Sequence, residues 1–296
     1  MSVQESDEST IEVIPTGAML GAEIRGVDGS RPVSAETRQA ILDAWHQNLV
    51  LLFRDQQLDI DAHLRFAGIF GDLDLPAQGL LGLGRERHMP NEIPEQVNII
   101  SNIEEDGIPI GALGADEARW HTDSSFVERP IGASVLYGIE IPPQGGNTSF
   151  LNMYTALEDL PPALRRRIDG RRALHSCVYS SNGERRPEFE NVTDVSKGPG
   201  PLHPLIRTHP ATGRQCLFLG RRLKSYIPDL PVEESEELLD ALWAHATQSK
   251  YVWEHEWRPG DVVVWDNRCT MHHRKPFDPN SRRRMHKVHT MGEIPA

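Results

Sequence analysis

From Val97 onward the apolar residues fall into short runs of strand length, closed by turn-forming residues. They are Val97–Ser101, Arg119–Asp123, Ser134–Ile141, Thr148–Asn152, Leu174–Val178, Leu205–Thr208, Gln215–Leu219, Val252–Trp257, Asp261–Trp265 and Arg284–Met291. Many short strands at close spacing specify a sandwich or barrel, not a helical bundle or an alternating parallel sheet. Earlier in the chain, strands are expected at Ile11–Ile14 and Ala22–Val27, and the continuous run Leu49–Phe53 reads as a buried strand. Four helical segments interrupt this pattern. Ser34 is a candidate N-cap for a helix to about His46, whose apolar stripe is Ile41, Leu42 and Trp45. The others are expected at about 59–69, 154–168 and 233–247. The predicted fold is mainly β with helices packed around the core. Residues 1–9 read as a flexible tail, 10–296 as one domain, and the irregular stretches 74–96 and 102–118 as loops over one end.

Composition narrows the function. Thirty-one Lys and Arg against 43 Asp and Glu give a net charge of −12. Such a chain is repelled by phosphate backbones and anionic bilayers, so neither nucleic acid nor membrane is an expected partner. Three cysteines, Cys177, Cys216 and Cys269, lack metal-binding spacing and cannot form a disulfide framework, which fits a reducing cytoplasm. The N-terminus lacks the basic start and apolar run of a secretion signal, and no run approaches the ~18 apolar residues of a membrane span. Gly79-Leu-Leu-Gly-Leu-Gly84 lacks the Lys-Ser/Thr of a phosphate loop and reads as a surface loop.

Among 13 histidines, His121 stands out in Trp120-His-Thr-Asp123. In a strand, residues i and i+2 share a face, so His121 and Asp123 would project together. One imidazole, one carboxylate and a second imidazole from a distant segment would make the facial triad of a non-haem Fe(II) oxygenase, with positions left open. Alone, a His and an Asp at this spacing are more often a strand histidine hydrogen-bonded to a neighbouring aspartate. Near the C-terminus, Gly260-Asp-Val-Val-Val-Trp-Asp-Asn-Arg-Cys-Thr-Met leads to the pair His272-His273, and adjacent residues of an extended chain point opposite ways, so only one can join such a site. In the last strand Arg283, Met285, Lys287 and His289 share a face. Inward cations there would require an anionic partner, whereas at a sheet edge they would simply face solvent.

Trp120-His-Thr-Asp123, Gly145-Gly-Asn-Thr148, Trp265-Asp-Asn-Arg-Cys-Thr-Met-His272 and Arg283 together resemble the motifs of the Fe(II)/2-oxoglutarate-dependent taurine and 2,4-dichlorophenoxyacetate dioxygenase family, over almost the whole chain. The resemblance implies a double-stranded β-helix, or jelly-roll, core. It implies His121, Asp123 and His272 as iron ligands, with Arg283 and Thr148 binding the distal carboxylate of 2-oxoglutarate and O2 as second cosubstrate. Arg282 and Arg284 flank Arg283, and both strand parity and the motif favour Arg283.

Departures from the family pattern bear on the substrate. Where relatives carry a second arginine for the substrate's anionic group, this chain has Lys287, a point charge without a bidentate fork. His289 is a possible helper. Taurine-type enzymes have a histidine after the Phe-Gly that closes the second helix; Phe70-Gly-Asp-Leu-Asp-Leu-Pro76 has none, which disfavours taurine itself. Arg85, Arg87, Asn102 and Glu117 are candidates for substrate contacts from the loops. The expected reaction is hydroxylation of a small organic anion of the aryloxyalkanoate, alkyl sulfate or sulfonate type, with release of succinate and CO2 and cleavage of unstable products. A natural-product or amino-acid-like substrate is the alternative. A catalytically silent 2-oxoglutarate sensor and a zinc hydrolase are less favoured, as is a catalytic thiol at Cys269. A homo-oligomer is possible.

Overall fold

The computed structural model describes residues 11–76 and 93–296. The expected tail and the loop candidates Arg85 and Arg87 lie outside these residues. Two sheets dominate. The larger runs in the order Glu12–Pro15, Ala22–Arg25, Val50–Phe53, Val262–Asp266, Ala133–Glu140, Arg284–Thr290, Val97–Ser101, Ala112–Leu113, with Leu73–Asp74 also paired to Arg284–Thr290. The smaller runs Val252–His255, Thr148–Asn152, Thr270–Arg274, Ala118–His121. The pairs are antiparallel except for the two joining Ala22–Arg25 to Val50–Phe53 and Val97–Ser101 to Ala112–Leu113.

Strand alternation builds two cores from one large sheet. Leu136, Val263, Trp265 and Met285 point toward the smaller sheet and meet its Phe150, Leu151 and Met271. The opposite face presents Val135, Val262, Val264 and Val288 to Ile41, Trp45 and Phe66 of the helices Ala35–Asn48 and Ile60–Ala67. Because both faces of this strand are covered, Val262 to Trp265 form a continuous apolar run. Ser34 caps the first helix by accepting from Thr37 N at 3.1 Å. This two-sheet barrel with flanking helices is the expected jelly roll.

Local differences from the sequence reading have physical causes. The expected helix 154–168 is two helices, Met153–Glu158 and Pro162–Ile168, because Pro161 and Pro162 cannot continue the first. The strand expected at 174–178 is Arg172–Leu174 and ends earlier. Thr270–Arg274, a strand whose polar sequence gave no apolar alternation, carries His272. The strand through Trp120 ends at His121, so Asp123 lies beyond it, and strand alternation does not account for its position.

Candidate metal centre and cosubstrate pocket

His121 and His272 face each other as a register pair across the smaller sheet, with ring centroids 4.1 Å apart. Asp123 joins them from the turn that follows. His121 Nε2 lies 3.4 Å from Asp123 Oδ1, and His272 Nε2 lies 3.7 Å from Asp123 Oδ2. All three ligand atoms lie within 4.8 Å of one another, and all three residues are buried. His273 points away, to Glu117 Oε1 at 2.6 Å and the Trp120 ring at 5.2 Å.

Asn267 supplies the constraint on Asp123 that a strand would otherwise give. Its Oδ1 accepts from Asp123 N at 2.9 Å, and its Nδ2 donates to Asp123 O at 3.0 Å and Ile131 O at 3.1 Å. The carboxylate is oriented through one oxygen: Oδ2 accepts from Lys287 Nζ at 2.8 Å and from Ser134 Oγ at 3.1 Å. Burial pushes the Asp123 carboxyl up, but Lys287, His272 and His121 outweigh it and hold the group well below the carboxylate range. Burial lowers His121 despite Asp123, and it lowers His272 strongly, reinforced by His121.

These residues fit a metal ion. His121 Nδ1 lies 2.6 Å from Arg119 O, a bond that requires the proton on Nδ1 and turns the Nε2 lone pair toward Asp123. A ring lone pair of His121 and the Asp123 carboxylate therefore converge beside His272, a donor set that suits a metal cation.

The pocket beside the triad is lined by Thr148, Arg221, Arg274, Arg283 and Lys287 together with apolar Ile100, Leu113, Leu136 and Trp265. Arg283 is only 2% exposed, yet its Nε and Nη1 have no partner. Burial, with Arg274 nearby, pulls its guanidinium well below the usual arginine range. An unpaired buried guanidinium is costly, and a ligand carboxylate would satisfy it. Thr148 Oγ1 accepts from Trp257 Nε1 at 2.9 Å, so its own proton can be donated to a ligand. Arg282 instead turns outward to Glu140. Arg274 donates to the carbonyls of Leu113, Gly114 and Asp116, fixing the 112–116 segment at the pocket wall. Gly111 lets the same segment lie close against Val97–Ser101, since a Cβ there would lie 2.8 Å from Ile99 O.

Other expected contacts have different uses. Asn102 clamps the backbone around Arg283: it accepts from Arg283 N and donates to Pro279 O and Ser281 O. Glu117 is bonded to His273, and neither it nor Asn102 is among the pocket-lining residues. His289 is also outside that lining. Sequence reasoning missed Arg221, Arg274 and the role of Asn267. Asn267 lay within a quoted motif, and Gly220 before Arg221 was the available turn signal.

A second His/Asp/Cys group, His209, Asp266 and Cys269, is closed. His209 Nε2 donates to Asp266 at 2.9 Å, its Nδ1 accepts from Ala211 N and Thr212 N, and Arg268 forks onto the same carboxylate. This knot anchors the turn after Trp265. Burial and Asp266 hold the Cys269 thiol well above its ordinary pKa, consistent with no nucleophilic role.

A jelly-roll barrel enclosing two histidines and an aspartate beside an unpaired arginine defines a facial-triad oxygenase class. The family model described as "Taurine catabolism dioxygenase TauD, TfdA family" matches residues 12–289. The chain is 34% identical over 284 residues to an alpha-ketoglutarate-dependent 2,4-dichlorophenoxyacetate dioxygenase of Burkholderia sp. (strain RASC), covering 93% of this chain and 88% of that one. It is 34% identical over 300 residues to pentalenolactone F synthase of Streptomyces arenae, covering 97% of each. The crystal structure of AAD-2 in complex with Mn(II) and N-oxalylglycine superposes with a TM-score of 0.77 at 28% identity, over 97% of this chain and 99% of that one. The chain belongs to the TauD/TfdA family and is an Fe(II)- and 2-oxoglutarate-dependent dioxygenase. No helix among the described residues is long and apolar enough to cross a membrane.

Proposed function

We propose that His121, Asp123 and His272 hold the ferrous ion, that Arg283 and Thr148 hold the far carboxylate of 2-oxoglutarate, and that the substrate is a small organic anion of the aryloxyalkanoate, alkyl sulfate or sulfonate type. When bound, iron and 2-oxoglutarate supply the power to insert oxygen from O2 into a substrate C–H bond, with succinate and CO2 as co-products. A hydroxylated carbon that also bears an ether or sulfate oxygen then collapses and releases that group. The protein's part is ligation, orientation and exclusion of water. Ser134 and Lys287 fix the Asp123 carboxylate, Asn267 fixes its backbone, and Asn102 fixes the backbone of Arg283. Leu136, Ile100 and Trp265 give the pocket dry walls, and the 102–118 segment acts as a lid.

The observation that carries this reading is the buried, unpartnered guanidinium of Arg283 in the same pocket as the triad. A second reading keeps the chemistry on a natural-product or amino-acid-like molecule; it is favoured by Lys287, which is engaged with Asp123. The test is aerobic turnover of Fe(II)-loaded protein with 2-oxoglutarate and a panel of 2,4-dichlorophenoxyacetate, hexyl sulfate and neutral terpenoid lactones. The small-anion reading expects succinate release stimulated by an anion, and Arg283→Met should raise the KM for 2-oxoglutarate. Stimulation by the neutral compounds alone would contradict it.

A further inference from the structure

Arg221 is another buried arginine of the pocket with open hydrogen-bond donors. It is 7% exposed, it lines the cavity with His121 and Asp123, and its Nε and Nη1 have no hydrogen-bond partner. Its placement is built in. Gly220 turns the chain at φ +65°, where a Cβ would collide with His175 Nδ1 at 2.2 Å, and Gly220 O accepts from Thr122 N at 3.0 Å. That backbone bond ties the residue before Arg221 to the residue between His121 and Asp123. The guanidinium rests over the Phe126 ring, 4.8 Å from its centroid, and Arg186 lies over the same ring at 4.9 Å. Its neighbour Arg222 shows the ordinary alternative, turning outward to Glu236 and Asp240.

The lysine expected to meet the substrate's anionic group is already bonded to Asp123 at 2.8 Å. Its ammonium thus serves the carboxylate of the triad, while the Arg221 guanidinium at the same cavity keeps Nε and Nη1 open. We infer that Arg221, rather than Lys287, receives the carboxylate or sulfate of the organic substrate. This rests on the small-anion reading above and adds the residue that recognises the anion. Burial, together with Arg186, lowers the Arg221 guanidinium to about 10, so it stays charged at neutral pH. A buried guanidinium with open donors gains charge-assisted hydrogen bonds when an anion binds.

The experiment is calorimetric titration of the full chain, loaded with Mn(II) and the inert analogue N-oxalylglycine, with 2,4-dichlorophenoxyacetate and with hexyl sulfate. Arg221→Met should weaken anion binding at least about 30-fold, the loss expected when one partner of a buried charged bond is removed. Arg221→Lys should recover part of it, and the surface variant Arg222→Gln should bind as the wild type does. Arg221→Met should still bind Mn(II) and N-oxalylglycine, and loss of that binding together with anion binding would mark a merely structural arginine and overturn the proposal. Equal anion affinity in wild type and Arg221→Met would overturn it while leaving the small-anion reading standing. Failure of both anions to bind the wild type would defeat that reading and the Arg221 assignment with it.

Discussion

Replacing Lys287 with methionine should destabilise the metal-free protein far more than the metal-loaded one. The Lys287–Asp123 pair spans 2.8 Å with side chains only 8% and 9% exposed. Removing one partner of such a pair strands the other charge and typically costs about 3–5 kcal/mol. Methionine keeps most of the lysine stem's packing, so the electrostatic part dominates the loss. In the Mn(II)-loaded protein the ion itself faces Asp123, leaving a loss of about 1–2 kcal/mol from the missing hydrogen bond. The difference of roughly 2 kcal/mol must appear as tighter metal binding to the native state, about 30-fold, since binding and folding are linked. Urea unfolding with and without Mn(II), together with direct Mn(II) titration, measures both sides of this cycle. Equal destabilisation in the two states, or weaker Mn(II) binding in the variant, would refute the view that Lys287 and the metal balance the same carboxylate.

Asn267→Ala should lower metal affinity by about 10–100-fold, as loss of a group that orients a ligand does, and should cost roughly 1–3 kcal/mol for each backbone group left unpaired; Mn(II) titration and urea unfolding check both, and unchanged affinity would contradict the clamp. His63 is buried, and burial, with His286 nearby, lowers its pKa from 6.5 to about 3. The unfolded chain therefore binds the proton more readily than the fold does, so the associated stability is complete above pH 6.5 and is lost as pH falls toward 3. Between pH 7 and pH 5 this one group accounts for about 2 kcal/mol. His63→Phe should reduce the loss of stability over that interval by that amount, measured by urea unfolding at the two pH values, and an unchanged loss would contradict it.

The fold was legible where burial alone set the residue type. Val262 to Trp265 are apolar on both faces because a helical layer covers one and the smaller sheet the other, and Val97–Ser101 was read at its observed bounds. Legibility failed where function replaced packing: Thr270–Arg274 gave no strand signal, because its inward face holds His272. Of the site, the spacing of His121 and Asp123 and the parity of Arg283 were visible, although Asp123 is held by Asn267 and not by strand alternation. Partner choice was not visible. Arg221 and Arg222 are alike in type, and beyond the Gly220 turn their fates rest on distant partners: Arg222 meets Glu236 and Asp240, whereas Arg221 lines the pocket. Asn102 and Glu117 looked free in the sequence because the backbone of residues 279–283 and the ring of His273, which engage them, come from far along the chain.

Anaerobic Fe(II) titration of the wild type beside His272→Ala and His273→Ala bears most directly on the claim that His121, Asp123 and His272 grip a single ferrous ion. The expected result is one tightly bound iron per chain in the wild type and in His273→Ala, and none retained at that affinity in His272→Ala. Full iron binding by His272→Ala, or its loss in His273→Ala alone, would contradict the assignment.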